Sequence, residues 1–264
     1  MPEKDMPFLI GLYNERTSNI EAGREKHKRD IQRGYYAKGA SFNGWASGSK
    51  DRAVLTYIVH HDIIQTKKFA FEAPDWAIEP FKLKEKGIEI DDCCVDIDCL
   101  FHIHTGLAGG NFKGVLDLAR AMGNDRKLDQ RESHVDNRRY GYFLKAFLTN
   151  DAEGLAEWLP VVEEKFIAKG KGFYYGNCLV LKAILEKNLE MAQQGLAAMV
   201  RFHKNSTGWN KVDCHLCLDG VGLANLCRWK GLWVEGIEPL IPNDLLMNEE
   251  EIKEAIAALP LQGG

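Results

Sequence analysis

The sequence predicts an all-α protein of stacked antiparallel helical hairpins around a buried C-terminal helix. Three observations predict it. First, the stretch from Leu216 to Cys227 places Leu216, Cys217, Leu218, Val221, Leu223, Ala224, Leu226 and Cys227 on nearly every side of a helix, and a helix that is apolar almost all round is a buried one. Second, three apolar stripes step by three or four residues, the helical period: Phe112, Val115, Ala119, Met122; then Leu155, Leu159, Val162, Phe166; then Leu189, Ala192, Leu196, Met199, His203. Third, the segments FLKAFLTND and LVLKAILEKN resemble each other at a spacing of roughly forty residues, the mark of a repeated helical unit.

Taken in order, residues 1 to 24 are polar and broken, with a short apolar patch from Pro7 to Leu12. Lys26 to Tyr36 is basic and starts a helix, and the Gly/Ser-rich stretch Ala37 to Ser49 reads as a loop. Asp51 to Phe71 reads as one long helix, with Val54, Tyr57, Ile58, Ile63 and Ile64 as its apolar side. Pro74 and Pro80 bracket Trp76 in a connection, and Lys82 to Asp92 is a charged loop. Helix-like segments then follow at Val95–Leu107, Tyr140–Leu148, Leu179–Leu185 and Leu216–Cys227. The first three run into Gly109-Gly110-Asn111, Asn150-Asp151 and Lys187-Asn188, where Asn111, Asn150 and Asn188 stand as N-caps of the next helix. Asn124 to Val135 is a charged connection, and Pro160 should kink or split its helix. Gly220 and Gly222 lie inside the last long helix at a propensity cost of roughly 1 kcal/mol each, which close approach of a neighbour would offset. Gly231 ends that helix, and Glu249 to Leu259 forms a short amphipathic cap after Pro242. The expected organisation is a single domain over 1–264, with a hairpin core at 95–247.

The 264 residues carry a formal net charge of −4. No global basic field is present to hold nucleic acid. No apolar run reaches transmembrane length, and the N-terminus has no signal-peptide core, so a cytoplasmic protein without membrane contact is expected. Seven cysteines, several inside helical patterns, fit a reducing compartment better than a disulfide framework.

Catalytic motifs are sparse. Asp98-Cys-Leu-Phe-His102-Ile-His104 has the His-x-His of a metal-dependent hydrolase, in which alternate residues of a strand reach one metal. On a helix the two histidines point about 200° apart and cannot share a metal. Cys214-x₂-Cys217 has zinc-knuckle spacing, but no second knuckle accompanies it, so no metal and no cofactor is expected. Gly44 to Lys50 has the wrong order for a phosphate loop, and neither G-x-S-x-G nor H-E-x-x-H occurs.

The acidic residues offer a docking reading. Asp91, Asp92, Asp96 and Asp98, with Glu89, form a cluster that could meet a cationic partner, and Asp213, Asp219, Glu235 and Glu238 form a second. The bland alternative is that Asp91 and Asp92 stabilise a helix N-terminus. His215 and Asp219 stand four apart, as a helical hydrogen-bonded pair would. Trp45, Trp209, Trp229 and Trp233 are candidate interface anchors, although each such side chain is commonly core.

These residues resemble the immunity protein 49 family of bacterial polymorphic-toxin systems. The resemblance rests on Phe143 to Asp151, Leu179 to Asn188, His203-Lys204, Asp219 to Leu232 and Leu240 to Leu246, and covers roughly residues 95 to 247. It implies an all-α protein of the bacterial cytoplasm that binds and neutralises a cognate secreted toxin, with no catalytic residues to transfer. Two other readings stand beside it: a metal-dependent hydrolase using His102 and His104, and a helical scaffold for a different partner. For the contact surface, Asp91, Asp92, Asp96 and Asp98 are the first choice, and Glu235 with Glu238 the second.

Overall fold

A computed structural model describes residues 6–206 and 215–259. The protein is all-α. Its helices are α1 (Met6–Gln32), α2 (Ala40–His60), α3 (Ile63–Ala77), α4 (Glu79–Glu85), α5 (Leu100–Gly109), α6 (Phe112–Ala121), α7 (Arg126–Glu132), α8 (Val135–Thr149), α9 (Ala152–Val162), α10 (Tyr175–Leu185), α11 (Leu189–Ser206), α12 (Leu218–Trp229) and α13 (Glu249–Ala257). One apolar cluster runs through them from Leu9 to Ile252.

The core is built on α5 and α12. Seven of α5's ten residues are buried, and α12 is buried from Gly220 to Cys227. The two helices cross where Gly222 faces the His104 carbonyl oxygen and the Ala108 amide. No side chain fits there, which is the close approach that its glycine anticipates. Asn225, wholly buried, ties the crossing together. Its Nδ2 donates to the carbonyls of Leu107 and Ala108 (3.2 and 3.3 Å), and its Oδ1 accepts from the Met247 amide at 2.8 Å. Asn225→Leu keeps the branched outline of the side chain and strands those backbone groups. It should lower the free energy of unfolding by about 2–3 kcal/mol in urea titration; an unchanged midpoint would mean the amide is dispensable.

Consecutive helices also pair, as α2 with α3, α5 with α6, α8 with α9 and α10 with α11. In the last pair Gly176 meets Met199 and Gly195 meets Val180, so the two helices run antiparallel. Consecutive pairing is not the whole arrangement, because α5 packs most heavily on α3 and α12, far from it in sequence.

Several expected boundaries move. Residues 6–32 form one helix, not a broken polar segment. The Gly/Ser stretch before Ser49 is the first half of α2, where Gly48 lets the Ile20 side chain of α1 come close. The helix expected over 51–71 divides at His61, whose left-handed backbone (φ 50°) ends α2, and Asp62 caps α3 by accepting from the Gln65 amide at 2.9 Å. Pro74 lies within α3 rather than in a connection. Its missing N–H removes the helical donor for the Ala70 carbonyl, and Asn111 Nδ2 donates to the neighbouring Phe71 carbonyl at 2.8 Å. The helix expected from Val95 starts only at Leu100, after two turns of 3₁₀ helix at Asp92–Cys94 and Ile97–Cys99. The charged connection after Asn124 contains α7, capped by Asp125.

Among the expected caps, Asn111 and Asn188 serve as such, accepting from the amides of Gly114 (2.8 Å) and Met191 (3.0 Å). Asn150 does not. It ends α8 in the left-handed region, and Asp151 caps α9 instead. Pro160 is accommodated inside α9, which then widens into a π-helical turn at Glu163–Ile167, with Ala168 N–H donating to the Glu163 carbonyl.

Candidate functional site

The first acidic group does not form one docking face. Asp91 is exposed. Asp92 is paired with Lys84 at 3.4 Å and with Arg131. Asp96 is only 3% exposed and accepts from the Asp98 amide at 2.9 Å. Burial, then the nearby charge of Asp98, pushes its carboxyl up to about 6. Asp98 is half-buried and accepts from Asn137 Nδ2 at 2.9 Å, its pKa also raised by burial. Asp129 completes this inner set, accepting from the Ile97 amide (2.9 Å) and the Tyr142 hydroxyl (2.7 Å). The carboxylates at 96, 98 and 129 therefore hold the 3₁₀ turns before α5 against α7 and α8, and Asp96 cannot reach a partner. The sequence pattern could not separate these roles, since all four acids fall within eight residues of one another.

Glu235 and Glu238 are exposed on the segment after α12. Glu235 exchanges backbone hydrogen bonds with the Gln193 side chain at 3.0 and 3.2 Å, and Glu238 Oε1 accepts from the Asn243 amide at 2.9 Å. Of the tryptophans, Trp45 is buried and Trp229 stacks on Phe112 with ring centroids 4.2 Å apart. Trp233 is exposed, with the Arg228 guanidinium 5.5 Å from its ring. Trp209, Asp213 and Cys214 lie outside the described residues.

His102 and His104 sit on a helix, not a strand. His104 Nε2 is 2.8 Å from the Tyr140 hydroxyl, and burial first of all drives both imidazoles down to about 4. Both are neutral at physiological pH. Among the described residues no group of three His, Cys, Asp or Glu side chains is placed to hold a metal ion. Nearby, Lys50 Nζ donates to Asp219 at 3.0 Å. Burial alone would raise the Asp219 pKa, but Lys50, His104 and His203 outweigh it and hold the carboxylate below its ordinary value. Asp219 lines a narrow cleft of about 50 Å³ with Asn177, His203 and Phe173, too small for more than a water or two.

A larger opening lies at the C-terminal end of α5. Helices α3, α6 and α13 enclose a cleft of about 400 Å³. Phe71, Phe112, Met247 and Ala255 supply its apolar lining, and the Gly109-Gly110-Asn111 turn closes one end. Lys67 of α3 and Glu251 of α13 pair at 2.7 Å beside it. The α3 rim is unusual: Ile64 is 82% exposed and Phe71 is 44% exposed. Ile64, Lys67 and Phe71 follow the helical spacing of three and four, so they share one outward stripe. Asn111 fixes the floor, reaching Asp75 at 3.0 Å as well as the Phe71 carbonyl. A preformed apolar cleft with exposed large side chains on its lip is a place for a partner's anchors. Reading Ile64 as core hid this feature in the sequence; the separation of Ile63 from Ile64 becomes visible only once the helix break at His61 resets the register.

Comparison with protein-family models, curated proteins and solved structures finds no match.

Proposed function

We propose that this chain is a non-catalytic binding protein of the immunity type, which neutralises a cognate secreted bacterial toxin by occupying its surface. The observation that best supports the reading is the α3–α6–α13 cleft, where Ile64 and Phe71 remain uncovered beside an apolar floor. The resemblance of residues 95 to 247 to toxin-immunity proteins supplies the class of partner. Stopping a lethal enzyme requires a dissociation constant around nanomolar, roughly −12 kcal/mol, and a few desolvated anchors supply most of such an energy. The partner's apolar side chains enter the cleft, while Lys113 and Glu254, which line it, serve as rim charges; Asp91, Glu235 and Glu238 are exposed but do not line it.

The test is co-expression with the toxin encoded beside this chain's gene, followed by affinity capture and a growth assay. Wild type should form a stable complex and restore growth. Ile64→Asp with Phe71→Asp should weaken capture by about a hundredfold or more; Ile64→Asp alone, at an 82% exposed position, should weaken capture with an unchanged melting curve. Absence of a complex together with absence of rescue would end the toxin reading; full capture by the double variant would move the interface elsewhere.

A further inference from the structure

Helix α1 lies antiparallel against α2, with Tyr13 on His60, Ile20 on Gly48 and His27 on Trp45. Its inward stripe is half polar: Tyr13, Thr17, Ile20, Arg24 and His27 recur at spacings of three and four. Nine buried side-chain polar atoms lack a hydrogen-bond partner among the described residues, and six of them lie along this one seam. They are Thr17 Oγ1, Arg24 Nε, His27 Nε2, Arg52 Nε and Nη1, and Thr56 Oγ1. Native proteins pair nearly all such groups, so their concentration on one seam calls for a chemical explanation.

Arg52 is the centre of the problem. It projects from α2, is only 4% exposed, and lies 3.7 Å over the Phe69 ring of α3. Its nearest carboxylate, Glu21, stands 3.8 Å from Nη2 and is itself 66% exposed. Arg24 approaches the Arg52 guanidinium from α1. Its Nη2 is taken by Glu72 and its guanidinium lies 5.0 Å from Trp76, but its Nε is unpaired. The two guanidiniums repel each other, and burial with that repulsion depresses Arg52's pKa. Thr56 stands one helical turn beyond Arg52, and Thr17 stands one turn before Glu21, on the faces that meet.

Arginine N–H groups can only donate, and a threonine hydroxyl can donate. A seam rich in unanswered donors, in which two guanidiniums meet and Glu72 and Glu21 each engage only one edge of them, is complementary to an acceptor-only anion. We propose that the seam between α1, α2 and α3 is a binding site for a tetrahedral oxyanion of the phosphate class, held by Arg52 and Arg24 with the Thr17 and Thr56 hydroxyls. Charge-assisted hydrogen bonds of this kind are about twice as strong as neutral ones. The bound anion cross-links α1 to α2, so α1 is held more firmly when the site is filled.

The experiment uses the full-length chain and inorganic phosphate as the probe. Isothermal titration at constant ionic strength, with chloride as the balancing ion, should show saturable binding by wild type. Phosphate also strengthens folding generally through exclusion from the surface, so the comparison that decides is between variants. Arg52→Met keeps an unbranched apolar stem over Phe69 and should weaken phosphate binding by about tenfold or more, and Thr56→Val, nearly isosteric, by several-fold. Arg131→Met, on the exposed surface, should bind as wild type. Hydrogen exchange of the α1 amides should slow with phosphate in wild type and not in Arg52→Met. If Arg52→Met fails to fold, Thr56→Val carries the test alone. No saturable binding by wild type, or equal binding by wild type and Thr56→Val, overturns the assignment.

Discussion

Replacing Gly222 with alanine is expected to cost about 3 kcal/mol or more of stability and to lower the melting temperature by roughly 10 °C. A Cβ at this position would fall within the contact distance of the His104 carbonyl oxygen and crowd the Ala108 amide. The obstacle is backbone, which cannot rotate away as a side chain can. Helices α5 and α12 would have to separate, and Asn225, one turn further along α12, would lose its reach to Leu107 and Ala108. Gly44→Ala is the matched control. Gly44 lies on the exposed side of α2 with no atom within 4 Å of its would-be Cβ, so alanine there should add about 0.5–1 kcal/mol by helix propensity. Thermal melts of the two variants should move in opposite directions. A neutral Gly222→Ala would mean that the α5–α12 crossing is looser than described.

Acid should destabilise the protein well above the pH at which carboxylates ordinarily protonate. His102 and His104 titrate near pH 4 in the folded chain, against about 6.5 when unfolded. Below pH 6.5 the unfolded state takes up protons that the native state refuses, so stability falls with pH down to about 4. Each histidine contributes a loss of about 3 kcal/mol across that window at 1.36 kcal/mol per pH unit. Asp96 works in the opposite direction. Its folded pKa of about 6 lies above the unfolded value, so it penalises the native state at neutral pH, and the penalty is relieved as pH falls from 6 towards 4. Asp75, Asp98 and Asp129, also raised by burial, add to the Asp96 contribution, and His27, lowered by burial, adds to that of the histidines; the shifts at His102 and His104 set the sign, a net loss of stability as pH falls towards 4. Urea titrations between pH 7 and 4.5 should show this slope. His104→Gln, whose amide can still meet the Tyr140 hydroxyl, should flatten it, and Asp96→Asn should steepen it. A profile that is level over this range in wild type, or unaltered by His104→Gln, would refute the assignment of the buried imidazoles.

The sequence was most legible where the apolar period is pure. Leu216 to Cys227 reads as a buried helix because little else satisfies so many apolar residues in succession, and α12 is that helix. The stripes of α6 and α11 were equally plain. The first ninety residues were not, for a physical reason. Helix α1 turns Thr17, Arg24 and His27 inward, so its pattern looks polar, and α2 uses Gly48 and Ser49 where a packed helix usually has larger groups. Small residues there permit close approach, which resembles a loop in composition alone. The acidic cluster was legible as a cluster but not as a structural one, since the 3₁₀ turns that carry the buried Asp96 are held through the Ile97 amide by Asp129, more than thirty residues away. The α3–α6–α13 cleft required a register that only the break between His61 and Asp62 defines.

The seat of α12 against α5 also sets a timetable for biosynthesis. About 110 residues separate the two helices, and at ~5–20 residues per second a ribosome needs on the order of ten seconds to deliver the second after the first. Throughout that interval the nascent chain carries α5 with one flank bare. Molecules cut by a protease in that window are lost before they mature, so codon usage or growth temperature, by altering elongation speed across residues 110–230, would tune how much finished protein a cell accumulates.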